Sequence, residues 1–280
     1  MLNFSKDKTE YGLLPLLKSS NSAVIHIFVN GFMSDEIKDY KAKDWQDGFK
    51  NILNKDEQKF IFKWESGLDY SSFRNHIPFK NGLEFELKRV KYIAQTYDKV
   101  SNNSLLSTGI NFLLSLPTSF SSYMIEEWKI SNQNSIKYGK ILANEIEYLI
   151  NQDKKIYLYA HSLGTNLVKN TLLELAKRNL AVEKVHLFGG ATTHSDTHKW
   201  NSACKSVKYG IHNFYSKNDS VLKYLYKTIE VGNNPIGLSP ILVTNKNIKN
   251  YDISNLINGH FEYKKNLQII FNHSVYISPL

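Results

Sequence analysis

Short apolar runs rich in β-branched and aromatic residues recur along the chain, and each is typical of a buried strand. The six runs occupy residues 23–29, 59–64, 155–159, 184–188, 210–215 and 241–244. They show little alternation with polar residues, which is expected for strands covered on both faces of a mainly parallel sheet. Between several of them apolar residues recur at helical spacing, as over 136–150 and 163–175. Alternating strands and helices predict an α/β fold with a mainly parallel central sheet and helices on both faces.

The alternation is interrupted once, between the strand ending near Trp64 and a helix expected to start near Ser131. A structureless loop of that length is rare in a compact domain. We therefore predict that residues 66–128 form a mostly helical cap or lid within a single domain of residues 1–280. Residues 101–125 carry no charge, and apolar residues recur there at helical spacing. This segment fits either a lid over a site or a core helix under the sheet.

The composition is that of a folded protein, since 42% of the residues are hydrophobic and 22% are charged. It excludes a collagen-like or mostly disordered chain. Lys and Arg outnumber Asp and Glu by 35 to 26, and the resulting net charge of +9 favours anionic partners. No dense run of Lys and Arg is present, so we expect no contact with nucleic acid. The positive charge fits either peripheral contact with an anionic membrane or lysines that solvate helix faces. The single cysteine, Cys204, excludes an internal disulfide.

The hydropathy pattern predicts neither a secretory signal nor a membrane-spanning helix. The N-terminal residues lack an apolar stretch behind a basic start, and no run of about eighteen apolar residues occurs in the chain. We therefore expect a cytoplasmic protein or one that binds peripherally to a membrane. Export by a route without a cleaved signal also fits this pattern.

The segment most informative about chemistry is IYLYAHSLG at residues 156–164, which joins a predicted strand to a predicted helix. A serine between a strand and a helix, with a small residue two positions before it and another two positions after it, is typical of a nucleophile elbow. Ala160 and Gly164 are small enough for backbone segments to pass closely, and the sharp turn lifts the serine above the sheet edge. Ser162 is therefore the candidate nucleophile. The alternative is a serine at an ordinary helix N-cap.

A serine nucleophile needs a histidine base and a carboxylate that orients it, and in this type of hydrolase both follow the serine, acid first. Asp219 and His260 occur in that order, each after a later predicted strand. Asp196 is the competing acid, and His273 is the competing base. The positions after the strands favour Asp219 as the acid and His260 as the base.

Three further histidines are less suited to catalysis. His161 is too close in sequence to Ser162 to fold back as its base. His194 and His198 flank Asp196, but no matched ligand spacing supports a metal cluster there. We expect no metal and no other cofactor.

Acyl transfer also requires hydrogen-bond donors for the developing oxyanion. The first predicted strand ends in VNGFM at residues 29–33, a glycine turn at the carboxyl end of the strand. In hydrolases with this elbow, one donor is the N–H of the residue after the nucleophile. The other comes from a loop at the carboxyl end of an earlier strand. We therefore predict the backbone N–H groups of Phe32 and Leu163 as the oxyanion donors. The alternative for VNGFM is a simple turn before a helix.

Four stretches of the chain together resemble a known family: VNGF at 29–32, AHSLG at 160–164, YSKNDSVLKYLYK at 215–227 and DISNLINGHFEY at 252–263. They are similar to the α/β-hydrolase domain of the transmembrane and coiled-coil domain-containing proteins, a group first catalogued as a domain of unknown function. The resemblance implies an α/β-hydrolase fold with Ser162, Asp219 and His260 as a catalytic triad. It also implies lipase-like or esterase-like activity on membrane lipid, with phospholipid as the leading substrate.

The chain departs from that family in two respects. Ala160 stands where glycine is commoner in the elbow. The membrane-spanning segments that many members carry are also missing, so any contact with a membrane would be peripheral.

We therefore expect a serine hydrolase that cleaves carboxylic esters of lipids through a Ser-Asp-His triad and an acyl-enzyme intermediate, as a lipase or phospholipase does. An exported lipase toxin and an enzyme acting on the cell's own lipids both fit this expectation. The alternatives are a soluble carboxylesterase or thioesterase, and a catalytically silent hydrolase fold that binds a membrane or a partner protein. The head group, the acyl length and the oligomeric state have no signature in the sequence.

Overall fold

The computed structural model describes residues 11–16, 21–32, 34, 43–67, 118–230 and 233–274. Its strands are β1 (Gly12–Pro15), β2 (Val24–Val29), β3 (Gln58–Lys63), β4 (Lys155–His161), β5 (Lys184–Phe188), β6 (Ile211–Tyr215) and β7 (Ile248–Asp252). Its longer helices are α1 (Lys43–Phe49), α2 (Thr118–Ile150), α3 (Gly164–Lys177), α4 (Thr197–Cys204) and α5 (Leu267–Ser274). A π-helical segment at Val221–Tyr226 continues into a short α-helical turn at Lys227–Ile229, and a 3₁₀ turn at Lys264–Asn266 leads into α5.

The strands of the described residues form one sheet in the order β1-β3-β2-β4-β5-β6-β7. Neighbours from β3 to β7 run parallel, and β1 pairs antiparallel with β3 at one edge. This arrangement confirms the predicted α/β-hydrolase fold. The sequence pattern does not predict β1, because that strand has only four residues. The carboxyl ends of the parallel strands meet at one edge of the sheet, and the loops that carry the candidate site residues begin there.

Helices cover both faces of the sheet, with α2, α3 and α4 on one face and α1 and α5 on the other. Successive side chains of a strand point to opposite faces, so a strand between two helical layers is buried on both. In β4, Leu158 packs in the core under α2 and α3, and Tyr159 packs in the core under α1 and α5. The two helical layers therefore account for the continuous apolar runs in the sequence.

The strand predicted at residues 241–244 is wrong, because the last strand of the described sheet is β7 at Ile248–Asp252. A side chain, and not a neighbouring strand, holds the backbone of Ile241. Its N–H donates to Asn250 Oδ1 at 2.9 Å, and its C=O accepts from Asn250 Nδ2 at 3.4 Å. The sequence pattern does not predict β7, because Lys249 and Asn250 interrupt its apolar positions.

Helix α2 begins at Thr118, well before the predicted start near Ser131. No glycine or proline interrupts the chain between these two residues, so nothing in the sequence ends the helix there. The last part of the predicted cap, 118–128, is therefore the beginning of α2. Residues 68–117, which make up most of that cap, lie outside the described residues. Within the part of the chain that is described, no helix is both long and apolar enough to cross a membrane.

Two partly buried titratable groups, His212 and Glu145, have pKa values shifted so that each favours its neutral form. His212, in β6, has its pKa lowered to about 4, mainly by burial and further by the charges of Lys184 and Lys249. Glu145, in α2, accepts a hydrogen bond from the N–H of Leu13 in β1 at 3.1 Å. Burial raises the pKa of this carboxyl to about 7. Both groups are therefore predominantly neutral in the folded protein between about pH 4.5 and 6.5.

We expect these two groups to change the pH dependence of stability in opposite directions. Below pH 6.5 the unfolded chain protonates a histidine that stays neutral in the fold, so His212 lowers the free energy of unfolding as the pH falls toward 4. Glu145 binds its proton in the fold up to about pH 7 but loses it above pH 4.5 when unfolded, so its contribution is lost as the pH rises through that window.

Urea unfolding at pH 7 and pH 5 measures both effects. Relative to wild type, His212→Gln should lose less stability on acidification and Glu145→Gln should lose more, each by at most about 1.4 kcal/mol per pH unit. The same pH dependence in both variants and the wild type would contradict the expectation.

Candidate active site

Ser162 lies at the turn between β4 and α3 in a backbone conformation that non-glycine residues seldom adopt. Its φ of 56° is in the left-handed region, where a side chain strains the backbone and where functional residues cluster. A Cβ on Gly31 would lie 2.5 Å from Ser162 Cβ, and one on Gly164 would lie 2.5 Å from the carbonyl oxygen of Asn30. The loop after β2 therefore passes directly against this turn. Ala160 is fully buried, so the fold accommodates its methyl group.

A continuous line of hydrogen bonds joins Ser162 to a buried carboxylate through a histidine. His260 Nε2 lies 2.9 Å from Ser162 Oγ, and His260 Nδ1 lies 2.7 Å from Asp219 Oδ2. The other carboxylate oxygen, Oδ1, accepts the N–H of Leu222 at 3.0 Å. Because a carboxylate only accepts, Nδ1 carries the hydrogen and Nε2 is left to accept the serine hydroxyl. This arrangement can remove a proton from Ser162.

Asp219 is fully buried at the turn that leads from β6 into the π-helical segment Val221–Tyr226. Ser216 ties this turn to the loop that carries His260. Its hydroxyl donates to the carbonyl oxygen of Ile257 at 2.7 Å and accepts the N–H of Asn218 at 3.1 Å. The acid and the base are therefore held together by their backbones as well as by their side chains.

His161, the residue before the candidate nucleophile, holds the backbone of the candidate base. Its Nε2 lies 2.9 Å from the carbonyl oxygen of His260, which only accepts, so His161 Nε2 carries the hydrogen. Burial, more than the neighbouring groups, lowers the pKa of His161 well below its ordinary value, and the ring is neutral at pH 7. The sequence does not predict this contact, because no motif links His161 to the backbone of His260, 99 residues later.

The competing acid and base have other positions in the fold. Asp196 stands at the start of α4 and pairs with Lys199 Nζ at 3.0 Å. His194 Nδ1 lies 2.9 Å from Ser239 Oγ, and His273 lies in α5. No group of three or more His, Cys, Asp or Glu side chains among the described residues is arranged to hold a metal ion.

The two predicted oxyanion donors are both close to Ser162 along the chain or in space. Leu163 is fully buried immediately before the first residue of α3, whose positive end therefore faces the turn. Phe32 follows Gly31, the residue that passes against Ser162. The role of the two N–H groups as oxyanion donors stays a prediction.

Three aromatic rings form a row between the loop after β2 and the helical segment that follows Asp219. The rings of Phe32 and Trp128 meet edge to face with centroids 5.4 Å apart, and those of Trp128 and Tyr226 do so at 5.8 Å. Trp128 Nε1 donates to Glu230 Oε1 at 3.0 Å, which fixes the middle ring. This aromatic row connects the loop after β2 to the helical segment after Asp219, and its Trp128 and Tyr226 rings are buried in the core.

Comparison with known proteins adds a family and several relatives. A family model described as "Protein of unknown function (DUF726)" matches residues 1–276. A rice protein named "Transmembrane and coiled-coil domain-containing protein STS1" is 24% identical over 94% of this chain and 38% of its own length. A Saccharomyces cerevisiae protein named "Probable lipase MIL1" is 27% identical over 50% of this chain and 13% of its own length.

The chain spans less than half the length of the first curated relatives it matches. Among solved structures, YbtT, a type II thioesterase of the yersiniabactin biosynthetic pathway, is similar over 94% of this chain and 96% of its own, with 12% identity and a TM-score of 0.41.

Proposed function

Because the chain belongs to the DUF726 family and has a hydrolase-like fold, we propose that it is a serine hydrolase that cleaves the carboxylic esters of lipids. The observation that carries the proposal is the line of hydrogen bonds from Asp219 through His260 to Ser162. It starts at a fully buried carboxylate and ends at a serine on a strained turn. Positioned in this way, a serine has the base and the orienting acid that nucleophilic catalysis needs.

In the proposed mechanism Ser162 Oγ attacks the acyl carbonyl while His260 Nε2 takes the hydroxyl proton. Asp219 holds the imidazole in the required tautomer and stabilises its charged form. The N–H groups of Phe32 and Leu163 stabilise the oxyanion of the tetrahedral intermediate. His260 then returns its proton to the leaving alcohol, and water hydrolyses the acyl-enzyme by the same steps, which releases the carboxylic acid. No cofactor takes part.

The assignment to lipid esters is supported by an exposed aromatic side chain beside the proposed base and by charge. The exposed ring of Phe261 has its centroid 5.6 Å from that of His260. Apolar surface of this kind suits an acyl chain. The net charge of +9 favours contact with anionic lipid. The yeast relative named as a probable lipase points in the same direction. We therefore include peripheral contact with an anionic membrane in the proposal.

Labelling with a fluorophosphonate probe, which reacts with activated serines, tests this function. We expect the wild type to be labelled and Ser162→Ala to remain unlabelled. We also expect anionic phospholipid vesicles to accelerate labelling more than zwitterionic vesicles do. Equal labelling with and without vesicles would instead favour a soluble carboxylesterase. The absence of labelling in folded wild-type protein under all conditions would favour a silent fold that binds a membrane or a partner.

A further inference from the structure

Asn30, in the loop after β2, is held on several sides by side chains distant in sequence. Its Oδ1 accepts one hydrogen bond from Trp45 Nε1 at 2.7 Å and another from Lys264 Nζ at 3.1 Å. Its carbonyl oxygen accepts a third from Trp64 Nε1 at 3.0 Å. An exposed loop asparagine seldom has this many fixed partners, so the fold constrains this residue closely.

Lys264 is partly buried and differs in this from a fully exposed surface lysine. Burial lowers its pKa, and the charge of Asp44 opposes that shift. Its Nζ lies 5.3 Å from the centroid of the Trp45 ring, within the range of a cation–π contact. A Cβ on Gly48 would clash with the carbonyl oxygen of Lys264, so α1 packs directly on its backbone. The cation is therefore held in one place on a fixed stretch of chain.

The bond between Lys264 and Asn30 connects two parts of the proposed catalytic site. Lys264 follows His260 by four residues, on the segment that carries the proposed base. Asn30 precedes Gly31, which passes against Ser162, and its carbonyl oxygen lies against Gly164 at the start of α3. A shift of Asn30 would therefore move the loop of one predicted oxyanion donor relative to the nucleophile.

We propose that Lys264 is a positioning residue, which acts through Asn30 to hold the Gly31–Phe32 loop in register with the base and the nucleophile. The proposal rests on the proposed serine hydrolase function. Lys264 does not touch the reacting atoms. Its effect is to keep an oxyanion donor in place while charge develops on the substrate, and a displacement of about 1 Å in such a group can cost about a hundredfold in rate.

Steady-state hydrolysis of a short soluble ester by the full chain tests the role of Lys264. Lys264→Met keeps the length of the side chain but removes the donor and the charge, and we expect kcat to fall by about 10- to 100-fold. KM should stay within about threefold, because the ground state uses the donor less than the transition state does. Lys264→Arg should recover part of kcat. Lys265→Met, at the exposed neighbouring position, is the matched control and should equal the wild type.

The inhibition constant of a trifluoromethyl ketone distinguishes positioning of the oxyanion donor from a merely structural role of Lys264. Ser162 Oγ adds to its carbonyl carbon, the proton passes to His260, and the former carbonyl oxygen becomes an oxyanion. Its inhibition constant should rise in Lys264→Met by the same factor by which kcat/KM falls. Unchanged kcat and inhibition, or a rise in KM alone, would overturn the inference.

Substitutions of Asn30 keep the inference testable even where Lys264→Met does not fold. Asn30→Asp keeps acceptors for both Trp45 and Lys264 and should retain most of the activity, whereas Asn30→Ala should lose it as Lys264→Met does. Equal activity in the two Asn30 variants would overturn the inference. If wild-type turnover requires Ser162 but is unaffected by substitutions of Lys264 and Asn30, this inference alone is overturned. If the wild type shows no turnover, the proposed function is overturned as well.

Discussion

Replacing Ser162 with alanine is expected to reduce kcat/KM for ester hydrolysis by about 10⁴-fold or more, which corresponds to about 5 kcal/mol of transition-state stabilisation. The reason is that Ser162→Ala removes both the atom that bonds to the acyl carbon and the proton that His260 accepts at 2.9 Å. The residual rate would come from substrate binding and the oxyanion donors alone. Initial rates on a short soluble ester and on phospholipid vesicles measure the loss.

The matched control for this prediction is Ser195→Ala, at an exposed serine near the start of α4. It should hydrolyse both substrates at the wild-type rate. Urea unfolding should show that Ser162→Ala is folded, since the substitution removes a single oxygen. Activity above about a tenth of wild type in folded Ser162→Ala would mean that another group is the nucleophile.

Replacing Asp219 with asparagine is expected to lower kcat by about 10⁴-fold, with little effect on folding. The N–H of Leu222 donates to Oδ1 at 3.0 Å, so an asparagine is stable only with its carbonyl oxygen turned toward that donor. Its NH₂ group then faces His260 Nδ1, which must accept, and the ring hydrogen moves to Nε2. A histidine in that tautomer cannot take the proton of Ser162.

Asp196→Asn is the matched control, because it makes the same chemical change in the competing acid. Asp196 is partly exposed and pairs with an exposed lysine, and such pairs contribute little to stability. We expect its kcat to stay within about twofold of wild type. If Asp196→Asn lost more activity than Asp219→Asn, the assignment of the acid would have to be reversed.

The order of the candidate residues could be predicted from the sequence because of how a parallel sheet is built. Its strands end at one edge, so residues that follow successive strands come together there even when they are far apart in sequence. Asp219 and His260 could therefore be named as partners of Ser162. The strand before His260 is the more polar β7 and not the apolar run at 241–244. The prediction for His260 does not depend on this difference, because β7 is parallel to β6 and ends at the same edge.

The contacts of Asn30 could not be predicted, for a different physical reason. Lys264 lies 234 residues from Asn30, and their hydrogen bond exists only after α1 has packed against the segment that follows the base. Neither residue has a periodic pattern or a motif that links it to the other. The contact between His161 and the backbone of His260 could not be predicted for the same reason. Motifs indicate which groups can do chemistry, whereas side chains that hold these groups depend on packing.

The left-handed backbone of Ser162 sets stability against activity in the evolution of this position. Such a conformation costs about 1 kcal/mol or more for any residue with a side chain. Glycine would relieve that cost, but it has no hydroxyl group. Selection for greater stability alone would therefore drive this position toward the one residue that cannot act as a nucleophile. If the chain is an enzyme, a serine kept at this position records a trade-off between stability and activity.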